Sequence, residues 1–465
     1  MTVGFRDPKD PVREVIDRRE PVLVVGLGRS GIAAANLLDR LGCRVTVSEL
    51  MDRDRFKGST SGLNQGIDVV WGEHTVDLFA GKNLVVLSPG VAPESLPVRV
   101  NENSGPRIVG EMELAFRLSR VPWIAVTGTN GKSTTTTLIG EFAKAAGMDV
   151  LVGGNLGIPA VELISRDPDP SCLIAEVSSF QLETIETFRP SIAALLNITP
   201  DHLDRYPDEE SYIRAKKNLF LRMREEDRVI VNADDPIVAG LVRDIRPAIT
   251  PFSRKKRPRG GVFLEDGKIV IRSGRTKIGV IAARDIALVG THNLENCLAA
   301  VAVAWKMGIE PEPMAEVMKT FSGLEHRMEL VGYIRGVPVY NDSKGTNVGA
   351  TVRSLEGFSG HVILILGGKD KGTSYEPLHD PVSKKVGLLI LVGEAGDRLH
   401  NSLADAAETV RARSLEEGVR LAVDRARPGS VILFSPACSS FDMFSSFEER
   451  GLFFKRLIRR YLDMR

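Results

Sequence analysis

The sequence VTGTNGKST, residues 126–134, follows a short apolar run at residues 123–126 and precedes a helical pattern. A strand, a glycine-containing loop and a helix in this order predict a phosphate-binding loop, because the loop N–H groups and the positive end of the helix dipole converge on an anion. Lys132 would meet the terminal phosphates of a nucleotide, and the Ser133 hydroxyl is suited to bind magnesium. Val126 stands where the general nucleotide-binding pattern has a glycine, so a generic ATPase is an imperfect match. A turn that only joins strand to helix would not need Lys-Ser at the helix start, which favours nucleotide binding.

The composition limits the class of protein. A chain of 465 residues is too long for one core and indicates about three domains. A net charge of +1 argues against nucleic acid or an acidic membrane as a partner. The four cysteines have no metal-ligand or redox spacing and are expected to be reduced and mostly buried. Residues 1–20 lack the apolar segment of a secretory signal, and no apolar run is long enough to span a bilayer, so we expect a soluble, cytoplasmic protein.

The N-terminal part has the pattern of a dinucleotide-binding unit. A strand at residues 21–25 leads into GLGRSG, residues 26–31, then a helix and a second strand that ends at Glu49. A second glycine turn follows the strand at residues 84–87. Two such turns at neighbouring strand ends would close over one elongated diphosphate ligand. Taken alone, the first motif also fits an NAD or FAD enzyme.

Strands and helices alternate after the phosphate loop, which predicts a mostly parallel sheet covered on both faces. Three of its strand ends carry polar groups, in GGNLG (153–157), at Glu176 and in NITPDHLD (197–204). Ligands lie outside the carboxyl ends of such strands. The side chains expected to share this rim are Lys132, Ser133, Asn155, Glu176 and His202. Glu176 would then be placed to bind a magnesium ion that also touches the nucleotide.

Two adjacent lysines lie in the helical pattern of residues 212–220. Its periodicity turns Ala215, Leu219 and Phe220 inward with one lysine near that face, yet physical reasoning alone favours a solvated surface charge for both Lys216 and Lys217. The basic run 254–259 is expected to be an exposed loop, since no aromatic residues interleave it as in a nucleic-acid site. It precedes a predicted hairpin, residues 262–264 and 268–271, turned by Asp-Gly at 266–267.

The C-terminal part repeats the strand-end pattern. Three predicted strands end in the segments NDSKGTN (341–347), GGKDK (367–371) and SPACSSFD (435–442). Each segment carries cations or hydroxyls, which suits a small dianionic substrate. The predicted architecture is therefore α/β with three domains: a Rossmann-like domain at 1–118, a P-loop-type, mostly parallel central domain at 119–323 and a Rossmann-like domain at 324–465.

The motifs, taken in order, resemble those of the Mur ligase family from residue 21 to the C-terminus. The matching segments are GTNGKST (128–134), GGNLG (153–157), EVSSFQLE (176–183), NITPDHLDRY (197–206), GTHNLEN (290–296), EHRME (325–329), NDSKGTNVGAT (341–351) and SPACSSFD (435–442). The NDSKGTN segment and the short glycine-turn first domain favour the member that adds D-glutamate. Another Mur-type ligase, or a ligase like folylpolyglutamate synthetase, is the alternative.

The resemblance implies a ligase with three substrates. ATP would phosphorylate the carboxylate of UDP-N-acetylmuramoyl-L-alanine to an acyl phosphate, and the amine of D-glutamate would attack it through a tetrahedral intermediate. Both steps bring anions together, which fits the cations noted above. The implied cofactors are ATP, two Mg²⁺ ions and a lysine carbamate derived from CO2. The protein is expected to be a monomer.

The resemblance also implies roles for individual residues. The catalytic set is Lys132, Glu176, His202 and Lys216, and the magnesium ligands are Ser133, Glu176, His202 and Lys216 as its carbamate. ATP would be bound by Thr129, Asn130, Gly131, Lys132, Ser133, Thr134, Thr135, Asn293, Asn296, Arg327 and Asp342. The UDP-sugar would be bound by Ser30, Glu49, Gly90 and Asn155, and D-glutamate by Thr346, Lys371, Ser440 and Phe447.

Several alternatives stay open at this stage. The match Tyr-x-x-Ala-Lys-x-x-Leu-Phe favours Lys216 as the carbamate, whereas counting forward from His202 gives Lys217. Lys369 is a possible replacement for Lys371 because the residues before the substrate lysine are shuffled. Glu49 stands where an aspartate is usual. The rival functions are an NAD-dependent oxidoreductase and a non-catalytic nucleotide switch.

Overall fold

The chain is described by a computed structural model that covers residues 7, 9–56, 60–98, 105–166, 170–202, 205–288 and 290–462. These residues form three β-sheets of five, nine and six strands, which follow one another along the chain. The predicted α/β class with three units is confirmed. Leu203 and Asp204, part of the predicted strand-end segment that contains His202, lie outside the described residues.

The N-terminal sheet is entirely parallel, in the order β3-β2-β1-β4-β5. Its elements are α1 (Pro11–Asp17), β1 (Pro21–Val25), α2 (Arg29–Arg40), β2 (Arg44–Glu49), β3 (Asp68–Trp71), α3 (Val76–Phe79), β4 (Leu84–Leu87), β5 (Arg107–Gly110) and α4 (Glu111–Arg117). All four residues of β4 are buried and apolar, as expected for a strand covered on both faces. The strand order reverses between β1 and β4, and ligands bind at such a reversal.

The central sheet is mixed, in the order β14-β13-β12-β11-β10-β9-β6-β8-β7, with only the pairs β12–β13 and β13–β14 antiparallel. Its elements are β6 (Trp123–Thr127), α5 (Lys132–Ala145), β7 (Val150–Gly154), α6 (Ala160–Arg166), β8 (Cys172–Glu176), α7 (Ser179–Leu182), β9 (Ile192–Leu195), α8 (Glu209–Lys217), β10 (Arg228–Asn232), α9 (Pro236–Leu241), β11 (Ala248–Ser253), β12 (Gly261–Glu265), β13 (Lys268–Ser273), β14 (Thr276–Ala282), α10 (Thr291–Lys306) and α11 (Pro311–Thr320).

The predicted hairpin is confirmed as β12 and β13. Asp266 and Gly267 both have positive φ, 51° and 74°, as a two-residue turn between twisted strands requires. On one face of the sheet, apolar residues of α5 such as Leu138 and Phe142 pack with the buried stretch 297–304 of α10. This packing fixes α5, and with it the phosphate loop at its N-terminus.

The C-terminal sheet has the order β15-β16-β20-β17-β18-β19, parallel except for the edge strand β15. Its elements are β15 (Glu329–Ile334), β16 (Val337–Asn341), α12 (Val348–Glu356), β17 (Val362–Gly367), α13 (His379–Lys385), β18 (Val386–Val392), α14 (Gly396–Leu403), β19 (Glu408–Arg411), α15 (Leu415–Arg425), β20 (Val431–Phe434) and α16 (Phe447–Leu462). The central strands β16, β20 and β17 end side by side, so the three polar segments that follow them share one edge.

In the described part of the chain, no helix has the length and apolar character needed to cross a membrane.

Candidate active site

The phosphate loop between β6 and α5 is held by a segment that follows β9. The backbone N–H of Asn130 donates to the Asn197 side chain at 2.8 Å, and the Asn197 amide donates to the Asn130 carbonyl at 2.9 Å. The loop turns through Gly131, whose φ of 89° favours glycine. A Cβ on Gly131 would lie 2.2 Å from Asn296 Oδ1. The loop is therefore fixed against α10 in a conformation that a larger residue would disturb.

Lys132, the first residue of α5, folds back over its own loop. Its Nζ donates to the carbonyl oxygens of Gly128 and Thr129 at 2.9 and 2.8 Å. Burial lowers the pKa of Lys132, and the neighbouring carboxylates of Glu176 and Asp201 oppose that effect. The ammonium group thus lies at the loop where the phosphates of a nucleotide would enter.

A cavity of about 190 Å³ opens between the central and C-terminal sheets. Fourteen of the predicted site residues line it: Thr129, Asn130, Gly131, Lys132, Ser133, Asn155, Glu176, His202, Asn296, Arg327, Asp342, Thr346, Lys371 and Phe447. The five side chains predicted to share a rim are all among them. Thr134, Thr135, Lys216, Asn293 and Ser440 are buried but do not belong to this lining. Of the two lysines left open after β17, Lys371 lines the cavity and Lys369 does not.

Glu176 ends β8 at the wall of this cavity and is only 3% exposed. Its Oε1 accepts a hydrogen bond from Asn155 Nδ2 at 2.7 Å, whereas Oε2 is buried without a hydrogen-bond partner among the described residues. Burial alone would raise the pKa of Glu176, but the ammonium groups of Lys344 and Lys132, together with the hydrogen-bonding side chains of Ser133 and Asn155, lower it below its usual value. The side chain is therefore an ionised carboxylate with one oxygen available to a ligand.

His202 lines the same cavity from the segment that follows β9. Its φ of 56° is uncommon for a residue other than glycine, and such strain concentrates at functional sites. The imidazole packs against the Phe180 ring, with the ring centroids 4.8 Å apart, and its Nε2 lies 3.8 Å from Asp201 Oδ2. The ring is thus held between an aromatic face and a carboxylate.

Lys344 is a site residue that sequence reasoning did not single out, although it lies in the predicted NDSKGTN segment. Its Nζ reaches across the cavity and donates to Ser133 Oγ at 2.7 Å. Burial lowers its pKa to about 8. In the same segment, the Asn347 amide donates to Asp201 at 2.8 Å. The segment after β16 therefore brings a cation from the C-terminal sheet to the phosphate loop. The signal that could have identified Lys344 is a lysine within a few residues of the end of a predicted strand.

Lys216 corrects one interpretation drawn from physical reasoning alone. The expectation that both lysines of α8 are solvated surface charges is wrong for Lys216, which is 1% exposed, while Lys217 is exposed. The Lys216 Nζ donates to the Gly128 carbonyl of the phosphate loop at 3.0 Å and lies 4.6 Å from the centroid of the Tyr212 ring. Desolvation and the nearby Lys132 cation bring the pKa of Lys216 well below its usual value. Helix α8 packs beneath the phosphate loop, which periodicity could not reveal.

A second cavity, of about 950 Å³, lies at the ends of β1 and β4 and faces the central domain. All four residues predicted to bind the UDP-sugar line it: Ser30, Glu49, Gly90 and Asn155. The Glu49 carboxylate accepts from the backbone N–H groups of Leu27 and Met51 at 3.0 and 3.1 Å, so it ties two loops at the rim. Asn155 lines both cavities, which therefore meet at this residue.

Among the residues of this second cavity that sequence reasoning missed are His74 and Gln181. His74 follows β3, and its Nδ1 lies 2.7 Å from the Ser48 hydroxyl. Gln181, in α7, accepts a hydrogen bond from the Ser178 backbone N–H at 2.9 Å. His74 lies just past a strand end, a signal that was available. Gln181 lies inside the segment EVSSFQLE (176–183), but the direction of its side chain depends on how α7 packs.

The first two domains are joined by buried carboxylates of α4. Glu113 accepts hydrogen bonds from three consecutive backbone N–H groups at residues 186–188 and pairs with Arg117 at 2.7 Å. Glu111 accepts from the Val161 N–H of α6 at 3.0 Å. Because α6 follows the GGNLG loop, Glu111 ties that loop to the N-terminal domain.

We expect Glu111 to make stability depend on pH. Burial raises its pKa from 4.5 to about 7, so the folded state binds a proton that the unfolded state releases between these values. Stability should therefore fall as pH rises through this window. Between pH 4.5 and about pH 8 the wild type should lose on the order of 3 kcal/mol more unfolding free energy than Glu111→Gln, which cannot ionise. Urea denaturation at several pH values measures this, and parallel profiles for the two proteins would contradict it.

Family models match along most of the chain. A MurD-like N-terminal domain matches residues 20–110, a Mur ligase middle domain residues 126–304 and a Mur ligase glutamate ligase domain residues 326–438. Two relatives are the UDP-N-acetylmuramoylalanine–D-glutamate ligases of Geotalea uraniireducens (strain Rf4), 44% identical, and of Geobacter sp. (strain M21), 42% identical. Each alignment covers 95% of this chain and 98% of the relative.

Solved structures share the fold at low sequence identity. The UDP-N-acetylmuramate-alanine ligase MurC from Thermotoga maritima is 19% identical with a TM-score of 0.59, covering 96% of this chain and 100% of that one. The MurF ligase from Thermotoga maritima in complex with ADP is 16% identical with a TM-score of 0.60, covering 94% and 95%. Together with the relatives above 40% identity, the matches show that the chain belongs to the Mur ligase family, in the branch of the UDP-N-acetylmuramoylalanine–D-glutamate ligases.

Proposed function

We propose that this chain is an ATP-dependent ligase that adds D-glutamate to UDP-N-acetylmuramoyl-L-alanine during synthesis of peptidoglycan precursors. The observation that carries the proposal is the meeting, at Asn155, of a cavity large enough for a sugar nucleotide and a cation-lined cavity built on a phosphate loop. The alternative of another Mur-type or folylpolyglutamate-synthetase-like ligase is not favoured, because the matching N-terminal domain is the MurD-like one.

The proposed chemistry has two steps. The γ-phosphoryl group of ATP passes to a carboxylate oxygen of the sugar nucleotide, which gives ADP and an acyl phosphate. The D-glutamate amine then attacks the acyl carbon, and phosphate leaves from the tetrahedral intermediate as the amide forms. Lys132, Arg327 and Lys344 line the cavity as cations that would oppose the charge gathered in both steps. The residue assignments made from the resemblance remain our proposals.

We also propose magnesium at Glu176. The buried Oε2 without a partner and the nearby Ser133 hydroxyl are oxygen ligands of the kind that magnesium prefers. The described residues hold no cluster of three His, Cys, Asp or Glu side chains suited to a metal, so phosphate oxygens would complete the shell. A second ion would use His202 and a carbamate on Lys216. When bound, magnesium would neutralise phosphate charge.

Two rival functions are not favoured, because each leaves part of the site without a role. An NAD-dependent oxidoreductase gives no role to Lys132, Glu176 and His202, which line one cavity. A non-catalytic nucleotide switch gives no role to the second cavity that joins it at Asn155.

Three further assignments belong to this proposal. The domain division at 1–118, 119–323 and 324–465 is supported by the connecting segments between α4 and β6 and between α11 and β15, which belong to neither helices nor strands. A monomeric enzyme is supported because residues of one chain line both cavities. A cytoplasmic location is supported by four buried cysteines without disulfide partners.

Among common amino acids, D-glutamate alone should strongly stimulate phosphate release from ATP in the presence of UDP-N-acetylmuramoyl-L-alanine. The cations that line the cavity, with the Thr346 hydroxyl, can pair two carboxylates in one handed arrangement. A panel that includes L-glutamate and L-lysine tests this, with reactions lacking the sugar nucleotide as controls. An equal response to L-glutamate or L-lysine would show that the substrate is misassigned, and no amino-acid response would favour the switch.

A further inference from the structure

Two loops of the C-terminal sheet line the first cavity, and a third loop carries the predicted D-glutamate ligand Ser440 beside them. They follow β16, β17 and β20, and they carry Lys344, Lys371 and Ser440 respectively. Loops that leave different strands have no covalent reason to keep a fixed spacing. Contacts from another part of the fold must fix their spacing if they are to bind one small ligand.

Arg450, on the first turns of α16, is fully buried and contacts two of these loops through hydrogen bonds. Its Nε donates to Ser343 Oγ at 3.0 Å and its Nη2 to the Ser343 carbonyl at 2.8 Å. Its Nη1 donates to the carbonyls of Cys438 and Ser439 at 3.2 and 3.0 Å, and Nη2 also reaches Cys438 at 3.2 Å. The planar guanidinium thus bridges the loops after β16 and β20.

The third loop packs directly on the same group. A Cβ on Gly368, after β17, would lie 3.0 Å from Arg450 Nη1 and 2.3 Å from the Ser439 carbonyl. The next residue, Lys369, donates its backbone N–H to Ser439 at 2.9 Å. The absence of a side chain at Gly368 therefore lets the loop after β17 approach the guanidinium closely.

The atoms that Arg450 holds lie next to the predicted ligand-binding side chains. Ser343 precedes Lys344 and Ser439 precedes Ser440 in the chain. Ser343 Oγ also donates to the Phe447 carbonyl at 2.8 Å, which ties the start of α16 to the same point. A shift of the guanidinium would move all of these positions together.

The charge of Arg450 is not paired directly. No carboxylate oxygen lies within 4.0 Å of its nitrogens among the described residues, and its acceptors are carbonyls and one hydroxyl. Burial lowers its pKa to about 10, which leaves it charged near neutral pH. A buried cation without a direct partner contributes a positive potential to the nearby cavity, where it would favour an anionic ligand.

We propose that Arg450 is a positioning residue for the amino-acid substrate, which it serves by fixing the three loops after β16, β17 and β20 around one dianionic ligand. This inference rests on the proposed function and adds to it a residue that touches neither substrate nor nucleotide. It implies that losing the guanidinium affects recognition of D-glutamate more than recognition of the other two substrates.

The test compares Arg450→Met and Arg450→Lys with wild type by steady-state kinetics for each substrate. Arg450→Met should raise KM for D-glutamate at least about tenfold, the effect of losing roughly 1.4 kcal/mol of binding energy. KM for UDP-N-acetylmuramoyl-L-alanine should change less than about twofold, since the residues that line its cavity belong to the N-terminal and central domains. KM for ATP should rise less than KM for D-glutamate, because the phosphate loop lies in the central domain and only part of the ATP site, at Asp342, adjoins Ser343. Arg450→Lys should recover only part of the loss, because an ammonium cannot reproduce the planar fork.

Arg459→Met is the matched control, since Arg459 is exposed on the same helix and should leave all three KM values unchanged. Unchanged KM for D-glutamate in Arg450→Met, or an equal rise for all substrates, would overturn the positioning role. If Arg450→Met does not fold, Ser343→Ala decides by the same criterion, because it removes one contact of the guanidinium. Failure of wild type to use D-glutamate would instead overturn the proposed function.

Discussion

Lys132→Ala is expected to lower ligase turnover at least about 100-fold while binding of the UDP-sugar stays near the wild-type level. The Lys132 ammonium lies at the phosphate loop, where it would stabilise charge that develops on the transferred phosphoryl group. The residue does not line the second cavity, where we place the sugar nucleotide. The loop itself should survive the change, because Lys216 still donates to the Gly128 carbonyl.

Phosphate-release rates and isothermal titration with UDP-N-acetylmuramoyl-L-alanine measure the two effects separately. Lys144→Ala is the matched control, since Lys144 is an exposed lysine of the same helix that pairs with Glu141 at 2.9 Å. It should keep full activity. Near-normal turnover in Lys132→Ala would mean that the phosphate loop is misassigned, and loss of sugar-nucleotide binding would mean that the two cavities are not separate sites.

The parts of the fold that sequence predicted are those with strong local patterns. The strand, loop and helix around residues 123–145 and the hairpin at Asp266-Gly267 depend on glycine positions and apolar runs that are visible within a short window. Strands at the edges of the sheets were not predicted, because their alternation of apolar and polar residues is weak. In β14, six of the seven residues are exposed or intermediate in exposure and Ile281 is buried, so alternation gives little signal.

The site was predictable at strand ends but not across domains. The rim around Glu176 follows from one sheet, since the carboxyl ends of parallel strands share an edge. The contact between Lys344 and Ser133 joins residues 211 positions apart and two different sheets. No local pattern encodes how those sheets face each other. The contacts of Arg450 were also not predicted, because an arginine in an amphipathic helix ordinarily points to solvent.

Burial of Lys216 bears on the chemistry proposed for it. Carbamate formation requires the neutral amine, whose nitrogen forms a bond to the carbon of CO2 while one proton is released. The pKa of Lys216 is well below its usual value, because desolvation and the Lys132 cation disfavour the ammonium form. The reactive form is therefore more populated near neutral pH than at an exposed lysine. Lys217 is exposed.

We expect Lys216→Ala to lower turnover at least about 100-fold, because it removes the proposed carbamate next to the phosphate loop. Lys217→Ala, the matched control one residue along the same helix, should keep near-normal activity. Small carboxylates such as acetate or formate should partly restore Lys216→Ala, since they can occupy the space of the missing carbamate. Phosphate-release rates with and without the added carboxylate measure the rescue.

A second readout is independent of activity and separates the carbamate from a merely structural lysine. Wild-type protein equilibrated with ¹³C-labelled bicarbonate should show a protein-bound carbamate signal by NMR, and Lys216→Ala should lose it while Lys217→Ala retains it. A signal lost only in Lys217→Ala would move the assignment one residue along the helix. A wild-type protein without the signal, or full activity in both variants, would remove the carbamate from the mechanism. Lys216 would then act only as a buried amine that donates to the Gly128 carbonyl of the phosphate loop.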